Sequence, residues 1–141
     1  MGAKERMAER SFSKEVEHLK IGARETFRGE GILAITKALL ENGVGYVAGY
    51  QGSPISHLMD VLADAQEILS ELGVHFEASA SEATATATLA ASVHYPIRGA
   101  ITFKSTVGTN VASDALANLA SGGLQVVLLS SSGKITARVL P

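Results

Sequence analysis

One carboxylate, Glu82, stands where the run "VHFEA" gives way to an Ala/Thr-rich stretch, so a predicted strand becomes a predicted helix beside it. In an α/β fold that junction is where ligands are met. Ala80, Ala83 and Ala85 flank it, apolar surroundings of the kind that favour proton transfer by a carboxyl group. Ser79 and Glu82 also have the S-x-x-E spacing of a capping box, in which the Glu reaches back to an N-cap amide. Either role suits the position. A second polar group is the turn "GYQGSP" at 49 to 54. Its Gly52, Ser53 and Pro54 fit a tight turn opening a helix, with Ser53 as N-cap and Pro54 at the first helical position. Its free amides would equally suit a carboxylate or phosphate. The third group is a polar loop from Lys104 to Asn110, with Gly108 between Val107 and Thr109. Lys104 is a solvated charge or an anion contact, and Asn110 caps the next helix or faces a ligand. His57 and Met59 are expected to pack.

Three strands must place these groups together. From Gly31 the pattern is ordered: "ILAITKALLENG" has helical spacing and stops at Asn42-Gly43, and "VGYVAGY" reads as a buried strand. "ISHLMDVLADAQEILSELG" reads as a helix with Leu58, Val61, Leu62, Ala65, Ile68, Leu69 and Leu72 on one stripe, closed by Gly73. "VHFEA" is a second strand, the Ala/Thr run a core helix, "GAITFK" a third strand, "NVASDALANLAS" a helix and "LQVVLLS" a fourth strand. Alternation at this spacing predicts right-handed βαβ units on a parallel sheet, hence an α/β fold. The small side chains of the Ala/Thr run suit a buried helix or a subunit interface. The first thirty residues are polar and are expected to lie over the domain rather than inside it.

Composition removes several function classes. At 141 residues, 46% hydrophobic and 18% charged, the chain suits one globular domain. A formal charge of -2 without a basic run gives nothing to hold a nucleic-acid backbone. No apolar run reaches membrane-spanning length and the start carries no apolar signal core, so a cytoplasmic address is expected. The chain has no cysteine, which excludes thiolate metal sites within it, and His18, His57, His75 and His94 are too scattered for a zinc motif.

The three polar groups, in this order and spacing, resemble the N-terminal pyrimidine-binding domain of the thiamine-diphosphate-dependent 2-oxoacid:ferredoxin oxidoreductases, closest to the indolepyruvate ferredoxin oxidoreductase alpha chain. The likeness runs from about Gly29 to Gly123. That family has a Gly-Tyr-Pro-Gly-Thr/Ser-Pro turn, an Asn-Glu pair heading a helix, and a Lys-bearing strand end followed by Gly-x-Asn-Val. Gln51 here replaces the first Pro of that turn, and Ser81 replaces the Asn. The resemblance implies a three-layer parallel-sheet fold and a cofactor-activating role for Glu82. In this cofactor class a glutamate hydrogen-bonds N1′ of the aminopyrimidine and thereby promotes loss of the thiazolium C2 proton, which opens oxidative decarboxylation of a 2-oxoacid. It also implies that Gly52, Pro54 and Asn110 border the cofactor, and that Ser53 and Lys104 meet the substrate carboxylate.

Other parts of such an enzyme are not expected in this chain. A separate domain normally holds the diphosphate and its Mg²⁺, and iron–sulfur clusters need cysteines. The implied partners are the remaining domains or a beta subunit, ferredoxin and coenzyme A, in an enzyme expected to be a homo-oligomer. The chain alone is expected to be inactive. The division expected is a polar extension at 1–28, a partial pyrimidine-binding domain at 29–125, and an aberrant tail at 126–141. Back-translating from Gln125 with GC-rich codons and reading one base earlier yields GGAPLVVGQDYGEGP, close to the family's GGALVIVGEDYGEG after this helix, so a frameshifted tail is expected. Sequencing the DNA across codons 120 to 141 checks it. The alternative reading is a non-catalytic α/β module that binds a small anion, with Glu82 only a cap.

Overall fold

The computed structural model describes residues 11–22, 25–95 and 97–122, with the backbone of two further strands at 127–131 and 135–139. Its sheet runs β2 (His75–Ala78), β1 (Val44–Gly49), β3 (Arg98–Lys104), β4 (Val127–Ser131) and β5 (Ile135–Val139) from edge to edge. The first four strands are parallel and β5 is antiparallel to β4. The predicted parallel-sheet α/β fold is therefore the fold observed. Strands β4 and β5 fall inside the segment expected to be an aberrant tail.

Helices cover both faces, giving three layers. On one face α1 (Gly31–Glu41), α2 (Ser56–Asp64) and α3 (Gln66–Glu71) bury Leu33, Leu58, Val61, Leu62 and Leu69 against Val47 and Ala100. On the other, α4 (Glu82–Ala91), α5 (Ser105–Val111) and α6 (Ser113–Ser121) surround Tyr46, Ala48, Ala85, Leu89, Ile101, Phe103 and Leu119. Side chains of β3 alternate between the layers, Ala100 to the first and Ile101 and Phe103 to the second, as the two-residue period requires. In β1 the alternation slips once: Val44 and Val47 share a face, and the register shift between Val44 and Tyr46 absorbs the odd residue.

The helix stops lie where Asn42-Gly43 and Gly73 predict them. Gly73 has φ +68 and closes α3 in a Schellman arrangement, with Gly73 N–H donating to Ser70 O and Val74 N–H to Leu69 O. Four expectations need correction. The long helix from Ile55 is two helices, interrupted at Ala65, where ψ is 9°. "NVASDALANLAS" is likewise split, because Ala112 has ψ 9° between α5 and α6. Main-chain bonds still cross both interruptions, Ala65 N–H to Val61 O and Ala112 N–H to Gly108 O, so each break is one residue deep. Leu72 leaves the buried stripe: it is the C-cap of α3 and 60% exposed. The N-terminal segment is not merely a cover either. A 3₁₀ segment, Glu15–Lys20, carries Val16 and Leu19, and with Phe12 they enter the core beneath α1 and α2. The Phe12 amide donates to the Asp64 carboxylate and its ring meets His57 edge-on.

Candidate active site at the carboxyl edge of the sheet

Strand order makes β1 the point at which the chain turns from one side of the sheet to the other. The β1 turn leads to α2 on one face, and the end of β3 leads to α5 on the opposite face. A crevice at such a switch point is where parallel sheets bind ligands. The three polar groups all arrive there. Gly49 pairs with Ala78 on one side and Thr102 on the other. Ser79 N–H donates to Gly49 O at 2.8 Å, and Tyr50 N–H to Thr102 O at 3.0 Å. These two bonds tie the loops after β1 and β2 to the end of the sheet.

Close approach sets the spacing. A Cβ on Gly49 would stand 2.5 Å from Met59 Sδ and 2.6 Å from both Thr102 Cγ2 and Thr102 O, so this position admits hydrogen only. Met59 is buried, as expected of a packing residue. On Gly52 a Cβ would lie 3.1 Å from Lys104 Cβ, which brings the first turn against the end of β3. Gly52 and Lys104 are thus neighbours.

The Gly52 turn is built differently from the expectation. Helix α2 starts at Ser56 with Ile55 as its N-cap residue, so Ser53 is not the N-cap and Pro54 is not the first helical residue. The cause is the local turn, in which Gly52 O accepts the amides of Ile55 and Ser56. Ser53 and Pro54 are exposed on this turn.

Glu82 is buried at this edge, 7% exposed at the first position of α4. The Ser79 capping box does not form. Ser81 is the N-cap, extended at φ -161°, and its Oγ accepts the Thr84 amide at 3.1 Å. Asn and Ser are both strong N-caps, so Ser81 preserves the function that an Asn would serve. Relieved of capping, the Glu82 carboxylate has no hydrogen bond or ion pair to another described residue. The α4 dipole favours negative charge at that end.

The segment from Lys104 to Asn110 is not a loop. Lys104 is the N-cap residue of α5, and Asn110 lies in that helix's last turn. Ala112, not Asn110, precedes α6 as its N-cap residue. Gly108 is buried on α5 and faces Phe103 and the Glu82 stem, whereas Asn110 is exposed. Two residues are about 200° around a helix, so Asn110 looks away from the side that touches Glu82.

Several polar residues at the edge escaped the sequence reading. Asp60 and Thr102 are buried, at 1% and 0% exposure. Gln51 Nε2 donates to Asp60 Oδ1 at 3.4 Å. Gln51 Oε1, Ser79 Oγ and Thr102 Oγ1 are buried without hydrogen-bond partners among the described residues. A single Thr within the apolar strand "AITFK", and an acid inside "LMDVL", are the signals that could have found two of them.

No protein-family model matches the chain. Its sequence is similar to curated indolepyruvate oxidoreductase subunits IorA: 36% identical to that of Methanothermobacter marburgensis over 100 residues, 70% of this chain and 16% of that protein. The likeness to the Methanothermobacter thermautotrophicus subunit is 36% over 92 residues, 65% of this chain and 14% of that protein. For Pyrococcus abyssi it is 34% over 102 residues, 70% of this chain and 15% of that protein. The chain is an IorA-like segment. It spans only 14 to 16% of the length of the relatives it matches.

Two cavities in the IorA-like segment lie away from the carboxyl edge. One of about 760 Å³ lies between the N-terminal extension and α1, lined by Phe27 and Lys37 among others. Another of about 250 Å³ borders Tyr46, His75 and Tyr95. Neither is lined by Glu82, Gly52 or Lys104. Among the described residues no group of His, Asp and Glu could hold a metal ion, and no helix is long and apolar enough to cross a membrane.

Proposed function

We propose that this IorA-like segment is the pyrimidine-binding domain of a thiamine-diphosphate-dependent 2-oxoacid oxidoreductase and supplies its cofactor-activating glutamate. The observation that carries this reading is Glu82: an acidic residue only 7% exposed that heads α4 at the sheet's carboxyl edge, not used as a cap, its carboxylate without a described partner. No other described residue bonds its oxygens, and an aminopyrimidine ring nitrogen supplies a hydrogen bond to them. The chemistry that the cofactor brings when bound is an electron sink for decarboxylation. Glu82 binds and holds a proton at the ring nitrogen N1′. The β1 turn, with Gly52 and Pro54, borders the ring. Ser53 and Lys104 orient a substrate carboxylate at the mouth, and Asn110, on the outward side of α5, faces a neighbouring domain or subunit there.

The rest of the machinery comes from elsewhere in the complete protein. The relatives are named as oxidoreductase subunits, and further domains or a second subunit would hold the diphosphate with Mg²⁺ and the iron–sulfur clusters. Ferredoxin and coenzyme A act on that larger assembly, and the chain alone does not turn over. The test is Glu82→Gln in the complete oxidoreductase. A lost proton-transfer group lowers 2-oxoacid oxidation by about 10² to 10⁴, with little change in stability. Full activity in that variant would overturn the proposal. The anion-binding alternative assigns Glu82 to capping alone, and Ser81 already performs that role.

A further inference from the structure

We propose that Gly108 is a positioning residue for Glu82: the side chain it lacks is the space shared by the Glu82 stem and the Phe103 ring, so helix α5 aims the carboxylate. Three elements meet at this point, β3 through Phe103, α4 through Glu82 and α5 through Gly108. A Cβ on Gly108 would stand 2.5 Å from Phe103 Cδ2 and 3.2 Å from Phe103 Cγ. The same Cβ would stand 3.2 Å from Glu82 Cγ. Phe103 is fully buried and Glu82 is 7% exposed, so neither has open solvent to retreat into. Gly108 is interior to a helix, where glycine is a poor choice on conformational grounds, and no positive φ requires it. Close approach is what the position needs. The aim of a carboxylate with no described partner of its own is then set by the packing of its stem, and the packing partner on the α5 side is a glycine.

The functional meaning of this inference rests on the role proposed for Glu82, but the positioning itself can be measured without a cofactor. In the 141-residue chain carrying ¹³C-labelled glutamate, three-bond couplings report the χ1 and χ2 rotamers of Glu82. The parent is compared with Gly108→Ala, with Phe103→Val, which removes the Cδ2 atom, and with the double variant. Gly31→Ala is the control, because a Cβ there meets nothing within 4 Å. One rotamer is expected in the parent, in Gly31→Ala and in Phe103→Val. Gly108→Ala is expected to give switched or averaged couplings. The double variant should keep those altered couplings while its thermal midpoint returns toward that of Phe103→Val. Parent-like couplings in both Gly108 variants would make Gly108 a packing glycine and overturn the proposal, and the double variant decides if Gly108→Ala alone does not fold. An altered rotamer together with full activity of Glu82→Gln in the complete oxidoreductase would leave the positioning standing and remove the cofactor reading.

Discussion

At the scale of residues, the carboxyl edge is decided by which serine caps α4. The sequence offers Ser79 and Ser81, and the S-x-x-E spacing favours the first; the backbone selects the second, because Ser79 is occupied in binding Gly49 O through its amide. The consequence is measurable. Ser81→Ala removes the bond to the Thr84 amide and is expected to cost about 1 kcal/mol in urea unfolding. Ser79→Ala removes a hydroxyl that is buried and unpartnered, so it should be neutral or slightly stabilising. The opposite ranking would restore the capping box and return Glu82 to a structural role. A second residue-scale prediction concerns Tyr46. Burial first, and then the neighbouring Glu77 carboxylate, raise its phenol above the ordinary value of 10.0. A group whose folded pKa is raised gives stability that is present below the unfolded value and lost as pH rises through the folded one. The urea midpoint should therefore fall as pH rises above about 10, and fall less steeply in Tyr46→Phe. Equal slopes would show that Tyr46 is not the group responsible.

Among the elements, the N-terminal segment shows what a pattern of charges can hide. Phe12, Val16 and Leu19 recur at helical spacing within a stretch otherwise full of Ser, Lys and Glu, and they supply buried residues to the core beneath α1 and α2. Lys37 pins the same segment by donating to the carbonyls of Leu19 and Ile21. Phe12→Ala is expected to cost about 3 to 5 kcal/mol, as for a fully buried aromatic ring; a loss below about 1 kcal/mol in a chemical melt would make the segment a cover after all. The alternation of strands and helices was legible because periods of 2 and 3.6 survive in the apolar residues, and the helix stops were legible because Gly43 and Gly73 need positive φ. The interruptions at Ala65 and Ala112 were not, since alanine is the best helix former and nothing in its side chain marks a break. Helix α5 was missed because Ser, Thr, Gly and Asn dominate it, residues that locally favour turns. For the site the division is similar. Glu82, Gly52 and Lys104 could be read from strand ends, but Gly108, Asp60 and Thr102 acquire their roles from contacts between elements distant in sequence.

On the scale of the whole molecule, an open carboxyl edge is half of a site. The chain brings the ends of β1, β2 and β3 together and places Glu82 beside them, yet it spans only 14 to 16% of its relatives. The proposed role of this segment is ring recognition and proton placement, with the diphosphate, the metal and the electron path left to other parts of a complete oxidoreductase. Its central claim concerns the atom at which Glu82 acts. The most direct measurement is the rate at which bound thiamine diphosphate exchanges its C2 proton with deuterium, followed by quenched-flow NMR in the complete oxidoreductase and in its Glu82→Gln variant. The account predicts exchange slowed by about 10² or more with cofactor still bound. Exchange at the parent rate in Glu82→Gln would contradict it.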